Sequence, residues 1–183
     1  MIINCKIGSK EFFIEKPERV PSMPGFPENF GVVIEGALYR GASPLAEHLD
    51  ALKGLLIKEI ISLYSLSSES QQIAELISSL QTGEFQHKLY NTDLGESVFL
   101  EAARYVVKRA KETAIYLHCA GGSNRTGQVV ILVKLFLGRN NMVELLTEAI
   151  KYGFGWQNTG YCDFLESLIE KLENCKDTAL PQQ

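Results

Sequence analysis

The stretch AIYLHCAGGSNRTGQVVILVKLFLG, residues 114–138, decides how this chain is read. AIYLH is a short, mostly apolar run and predicts a buried strand, while the largely apolar GQVVILVKLFLG predicts a central helix. Between them stand Cys119, a run of small residues and, six positions after the cysteine, Arg125. Such a turn is either an ordinary connection around an inert thiol or a cradle for an anion with a thiol at its base. The second reading accounts for more of the residues. Backbone N–H groups at a helix N-terminus favour an anion through unpaired donors and the helix dipole. Gly121 and Gly122 let the backbone approach a ligand closely, so the amides of Ala120, Gly121, Gly122, Ser123, Asn124 and Arg125 would form a nest. The Arg125 guanidinium can clamp two phosphate oxygens. Cys119 would lie beneath the anion, in positive surroundings that favour the thiolate, the nucleophilic form. The loop therefore reads as a phosphate site with a thiolate placed to attack phosphorus and form a phosphocysteine. Thr126 could donate a hydroxyl hydrogen bond to the sulfur. His118 leaves the strand on the face opposite Cys119 and so would orient the loop rather than act as a base.

Working outward, the same alternation of strand and helix repeats. SPLAEHLDALKGL predicts a helix capped by Ser43 with Pro44 at its first position. EIISLY and FQHKLY read as strands. SESQQIAELISSLQ reads as a helix presenting Ile73, Leu76, Ile77 and Leu80 on one face. SVFLEAARYVVKRAKE, MVELLTEAIKYG and YCDFLESLIEKLENC are amphipathic helices. This order predicts an α/β fold, a single domain with a mostly parallel central sheet flanked by helices. Residues 1–31 stand before it: IINCKIGSKEFFI predicts a hairpin, and EKPERVPSMPGFPENFG, with four of the six prolines, an irregular loop. VVIEGALYRG predicts a second hairpin turning near Gly36.

The bulk numbers agree with one domain over 1–183. A composition 45% hydrophobic and 22% charged is that of an ordinary globular protein. The net charge of −4 gives no global attraction to nucleic acid or an anionic membrane. Cys5, Cys119, Cys162 and Cys175 match no zinc pattern and read as free thiols in a reducing compartment, with Cys162 or Cys175 able to bridge to Cys119 on oxidation. The first residues lack the pattern of a Sec-type leader, and no run approaches the length of a membrane span. The expectation is a cytoplasmic protein, with export to a host cell by a non-Sec route left open. No set of His, Asp and Glu has metal-ligand spacing, and no metal or other cofactor is expected. His48, His87 and the KRAKE run read as solvated.

HCAGGSNRTG resembles the His-Cys-x5-Arg-[Ser/Thr] signature of the cysteine-dependent tyrosine and dual-specificity phosphatases. NFGVVIEGALYRGASP followed by EIISLYS is similar to the opening of the small atypical dual-specificity phosphatases of plants, fungi and bacteria. The resemblance covers about residues 29 to 172 and implies metal-independent hydrolysis of phosphomonoesters, with a phosphorylated protein or a small phosphoester as the partner. An inositol phosphate is an alternative substrate, and a non-catalytic phosphate-recognition module is the alternative to an enzyme. Ser123 stands where relatives acting on inositol phosphates often carry lysine, and Asn124 replaces a common glycine or serine. Arg40 matches the Tyr-Arg of the atypical phosphatases and would buttress the site, contact substrate or form an ion pair. QNTGYCDFLESL is similar to their Asn-x-Gly-Phe segment, which makes Gln157 and Asn158 candidates for positioning water.

Expelling an alkoxide or phenoxide needs a proton donor. Asp93, in NTDLGES, lies 26 residues before Cys119, and one strand–loop–helix unit returns its loop to the same sheet edge. The resemblance implies an acid aspartate on this loop. Gly95 would let the loop move, and Glu96 is the fallback. The other role open to Asp93 or Ser97 is to cap the next helix.

Overall fold

The structure is a computed structural model. It describes residues 2–80, 84–155 and 160–176, with side chains through Leu172. Seven strands and six helices are seen among these residues, in the order β1 (Ile2–Ile7), β2 (Lys10–Glu15), β3 (Gly31–Ile34), β4 (Leu38–Gly41), α1 (Leu49–Gly54), β5 (Ile57–Tyr64), α2 (Ser70–Leu80), β6 (Gln86–Asn91), α3 (Glu96–Arg109), β7 (Ala114–His118), α4 (Asn124–Phe136), α5 (Met142–Lys151) and α6 (Gly160–Lys176). A five-stranded sheet runs β3-β4-β7-β5-β6, and β1 and β2 form a separate hairpin. Within the five-stranded sheet only β3 is antiparallel to its neighbour. The pairs β4–β7, β7–β5 and β5–β6 are parallel, so the sheet is mostly parallel, as the alternation predicted.

Parallel strands are covered on both faces, and the alternation of side chains along them sorts the core. On β7, Ile115 and Leu117 join Ile61 and Leu63 of β5 beneath α3 and α4. Ala114 and Tyr116 face the other way, with Ile57, Ile60 and Tyr64, onto α1 and α2. The low-polarity face of α4 is double: Val129, Val130 and Val133 meet the sheet cluster, while Ile131 meets α5, α6 and the hairpin. A helix apolar on all sides is central, which explains why GQVVILVKLFLG shows so little polar face.

Four expectations are corrected. The helix predicted from Ser43 begins later, with a 3-10 turn at Ala46–His48 leading into α1, and Ser43 does not cap it. A residue before proline is disfavoured in the helical region, and Ser43 precedes Pro44; its hydroxyl accepts from Tyr64 Oη at 2.6 Å and its amide donates to the Ala120 carbonyl at 3.0 Å. Ile77 does not share the buried face of α2; it is exposed, while Ile73, Leu76 and Leu80 are buried. The KRAKE run is not wholly solvated, because Arg109 Nε donates to the buried Glu59 carboxylate at 2.9 Å. Finally, the cysteines are not all free: Cys5 on β1 and Cys162 on α6 form a disulfide. Cys162 is therefore not a resolving thiol for Cys119, and the reducing compartment read from the cysteines loses its basis. The side chain of Cys175 lies outside the described residues.

Candidate active site

The loop between β7 and α4 sits at the carboxyl edge of the sheet, where ligands of open α/β folds bind. Cys119 is 3% exposed, at the base of a cavity of about 340 Å3 that Gly121, Ser123, Asn124 and Arg125 also line. Three consecutive loop carbonyls are tied outward: Ala120 O accepts from Ser43 N at 3.0 Å, Gly121 O from Asn29 Nδ2 at 2.7 Å, and Gly122 O from Arg40 Nη2 at 2.6 Å. In a trans peptide the N–H lies opposite the C=O. Anchoring these carbonyls outward therefore aims the amides of Gly121, Gly122 and Ser123 the other way, as an anion nest requires. Gly122 has φ +67°, and a Cβ there would lie 2.5 Å from the backbone nitrogen of Ala42, so only glycine fits.

Arg40 is wholly buried behind this loop. Its guanidinium stacks on the Tyr152 ring at 4.1 Å, and its Nε and Nη1 have no hydrogen-bond partner among the described residues. Burial pulls its pKa down to about 10, with Tyr152 and the Cys119 side chain acting in the opposite direction. It thus remains a cation at neutral pH. No carboxylate pairs with it among the described residues, so it buttresses the loop and is not an ion-pair residue.

Arg125 lines the cavity and is held from behind. Glu69, at the end of the loop after β5, receives both Nη1 and Nη2, and Leu63 O accepts from Nη1 at 3.1 Å. Glu69 is fixed by the Ser65 amide at 2.7 Å. Burial acts to raise the Glu69 pKa, but the hydrogen bonds from Arg125 and Ser65 prevail and hold it below the ordinary carboxylate value. Sequence reasoning missed Glu69. The available signal was a lone acid in the serine-rich loop of a strand that ends beside β7.

His118 points to the face opposite Cys119, as read, and is fully buried. Its Nε2 lies 2.7 Å from Ser62 Oγ, which also lies 2.8 Å from His87 Nε2. Its Nδ1 lies 3.4 Å from the Cys119 carbonyl. Burial lowers the His118 pKa to about 3, so the ring is neutral. His87 is hence part of a polar chain and not a solvated residue. Thr126 is corrected: its buried Oγ1 has no hydrogen-bond partner among the described residues, so the bond expected to the Cys119 sulfur is not made.

Asp93 lies in a 3-10 turn, Thr92–Leu94, at the same sheet edge. Its carboxylate accepts from Ser65 Oγ at 2.6 Å and from the Ser67 amide at 2.9 Å, and these donors lower its pKa. It borders the loop that holds Glu69 but does not line the cavity over Cys119. Glu96, the fallback, is turned elsewhere, paired with Lys171 of α6. Gln157 and Asn158 lie outside the described residues. Asn124 Oδ1 accepts from the Gly155 amide at 3.1 Å, tying the start of α4 to the loop after α5. Among the described residues no cluster of His, Cys, Asp and Glu could hold a metal ion, and no helix is long and apolar enough to cross a membrane.

A parallel sheet whose central strand delivers a cysteine into an amide cradle closed by an arginine is the arrangement of the cysteine-based tyrosine and dual-specificity phosphatases. A model of the tyrosine phosphatase family matches residues 26–180, and the chain belongs to that family. Among solved structures the fold is similar to TpbA of P. aeruginosa (TM-score 0.62, 17% identity, 79% of this chain and 91% of that one). It is also similar to the core catalytic domain of the PP-IP phosphatase SIW14 from S. cerevisiae, in complex with citrate (0.60, 21%, 86% and 98%). PTPMT1 is a third (0.63, 14%, 82% and 99%).

Proposed function

We propose that this chain hydrolyses phosphomonoesters through a phosphocysteine intermediate, without a metal, and that its substrate is a phosphorylated protein bearing phosphotyrosine or phosphoserine/threonine. The observation that carries this reading is the set of three outward-anchored carbonyls around a nearly buried Cys119, with Arg125 at the rim. That geometry meets a dianion and presents it to sulfur. A similar structure, of TpbA, is a complex with phosphotyrosine.

In the first step the Cys119 thiolate forms an S–P bond as the P–O bond to the leaving group breaks. Asp93 gives that oxygen a proton. In the second step Asp93, now a carboxylate, takes a proton from water as its oxygen bonds to phosphorus, the S–P bond breaks, and orthophosphate leaves. Arg125 and the amides from Ala120 to Arg125 hold the charge that builds on the phosphoryl oxygens in both steps. Arg40 and His118 position the loop. Asp93 starts tied to Ser65 and Ser67, so this reading requires its loop to swing over the cavity on substrate binding, turning at Gly95, whose φ is +87°.

The test is release of p-nitrophenol from p-nitrophenyl phosphate with EDTA present. The wild type is expected to turn over. Cys119→Ser should abolish the activity, and Arg125→Ala should lower kcat/KM by about 10³-fold or more. Wild-type protein with a reduced Cys119 and no turnover of this or a phosphotyrosyl peptide would instead favour a phosphate-recognition module.

A further inference from the structure

The cavity over Cys119, at about 340 Å3, is larger than a lone phosphoryl group fills, and part of its rim plays no role in the reaction above. That part includes Arg19 and Glu28. Arg19 precedes residue 26, where the family match begins, so this cation comes from a segment outside it. The segment is well anchored. Ile3, Cys5 and Ile14 of the β1–β2 hairpin pack on α4, α5 and α6, and Cys5 is bonded to Cys162. The amide of Val20, next to Arg19, donates to the Lys151 carbonyl at 3.0 Å.

The Arg19 guanidinium is joined to the cradle through one side chain. Its Nη2 donates to Asn29 Oδ1 at 3.3 Å, and Asn29 Nδ2 donates to Gly121 O at 2.7 Å and to Ser123 Oγ at 3.2 Å. Asn29 is itself only 7% exposed, so this link is a built part of the site. A side chain at position 153 would crowd the spot: a Cβ on Gly153 would lie 3.1 Å from Ser123 Oγ and 3.6 Å from Arg19 Nη2. Among the described residues that line the cavity, the guanidinium of Arg125 faces the attacked phosphate, that of Arg19 stands on the rim, and Glu28 carries a carboxylate. Planar guanidinium donors recognise phosphate and carboxylate oxygens.

We infer that Arg19 forms a second anion subsite, so that the preferred substrate carries another phosphate or carboxylate beside the phosphate that Cys119 attacks. The inference rests on the phosphatase reading for the first phosphate. The second anion is either a further phosphate of a small molecule or an acidic side chain next to the phosphorylated residue of a protein.

The experiment is calorimetric titration of Cys119→Ser protein, which cannot turn over, with orthophosphate, with pyrophosphate, and with two phosphotyrosyl peptides that differ by Asp or Ala beside the phosphotyrosine. Arg19→Ala is expected to weaken pyrophosphate, the Asp peptide, or both, by about tenfold, the scale of one charge-assisted contact. Orthophosphate and the Ala peptide should stay within about twofold, the same scale applied to a lost contact that is absent. Which probe responds identifies the source of the anion. Glu28→Gln should act in the opposite direction and tighten the same probes. Equal weakening of every probe by Arg19→Ala, or none, would overturn the subsite while orthophosphate binding left the phosphatase reading standing. No orthophosphate binding before the Arg19 substitution would overturn both.

Discussion

Ser62 has one hydroxyl proton and two imidazole nitrogens within hydrogen-bond distance. The carbonyl of Cys119 can only accept, so His118 must carry its proton on Nδ1, leaving Nε2 to accept from Ser62; Ser62 then accepts from His87 Nε2–H. The chain fixes the tautomer that holds the Cys119 carbonyl. Ser62→Ala removes the donor and is expected to mix the His118 tautomers, read in imidazole ¹⁵N shifts. Unchanged shifts would refute the assignment. Ser65 acts on the other side of the chemistry. It donates to the Asp93 carboxylate, which favours the charged form and lowers the pKa. Ser65→Ala therefore raises the Asp93 pKa, the acid form persists to higher pH, and the basic limb of kcat/KM, which reports the free enzyme, should move up. A limb that stays or moves down would remove Asp93 as the acid. Cys119, Arg125 and the two glycines were legible because one short loop holds them all. Ser62, His87 and Glu69 were not, because their roles depend on β5 lying between β6 and β7, a sheet order that alternation alone does not encode.

Among the elements, strands and helices were legible from periodicity and from the turn residues between them, and β7 falls where AIYLH was read. The hairpin β1–β2 was legible as an element but not in its placement. Its attachment to α6 runs through Cys5 and Cys162, 157 residues apart, and cysteine spacing carries no distance information at that range. A bridge over so long a loop restricts the unfolded chain strongly, and removing such a disulfide costs about 2–5 kcal/mol. Cys5→Ser should lower the thermal midpoint by several degrees, and dithiothreitol should lower that of the wild type but leave the variant unmoved. A wild type insensitive to the reductant would show that the bridge does not stabilise the fold. Because Cys162 follows Tyr161, which lines the cavity, and the hairpin leads into the segment that carries Arg19, the bridge also ties two parts of the rim to the core.

For the whole molecule, the two-sided burial of the parallel sheet and the all-round apolar α4 leave the carboxyl edge as the place where polar groups converge. The Cys119 loop, the Glu69 loop and the Asp93 turn meet there because β7, β5 and β6 are adjacent and parallel. The proposed chemistry places a phosphoryl group on sulfur at this edge. The direct measurement is rapid quench of Asp93→Asn protein with an aryl phosphate whose leaving group needs no proton. EDTA is present, the quench is alkaline, and the digest is read by mass spectrometry. The expected result is a phosphoryl adduct on Cys119 that builds up because the base for its hydrolysis is gone, and none in the Cys119→Ser, Asp93→Asn double variant. Phosphate release with Cys119 unmodified throughout, or an adduct on another residue, would contradict it.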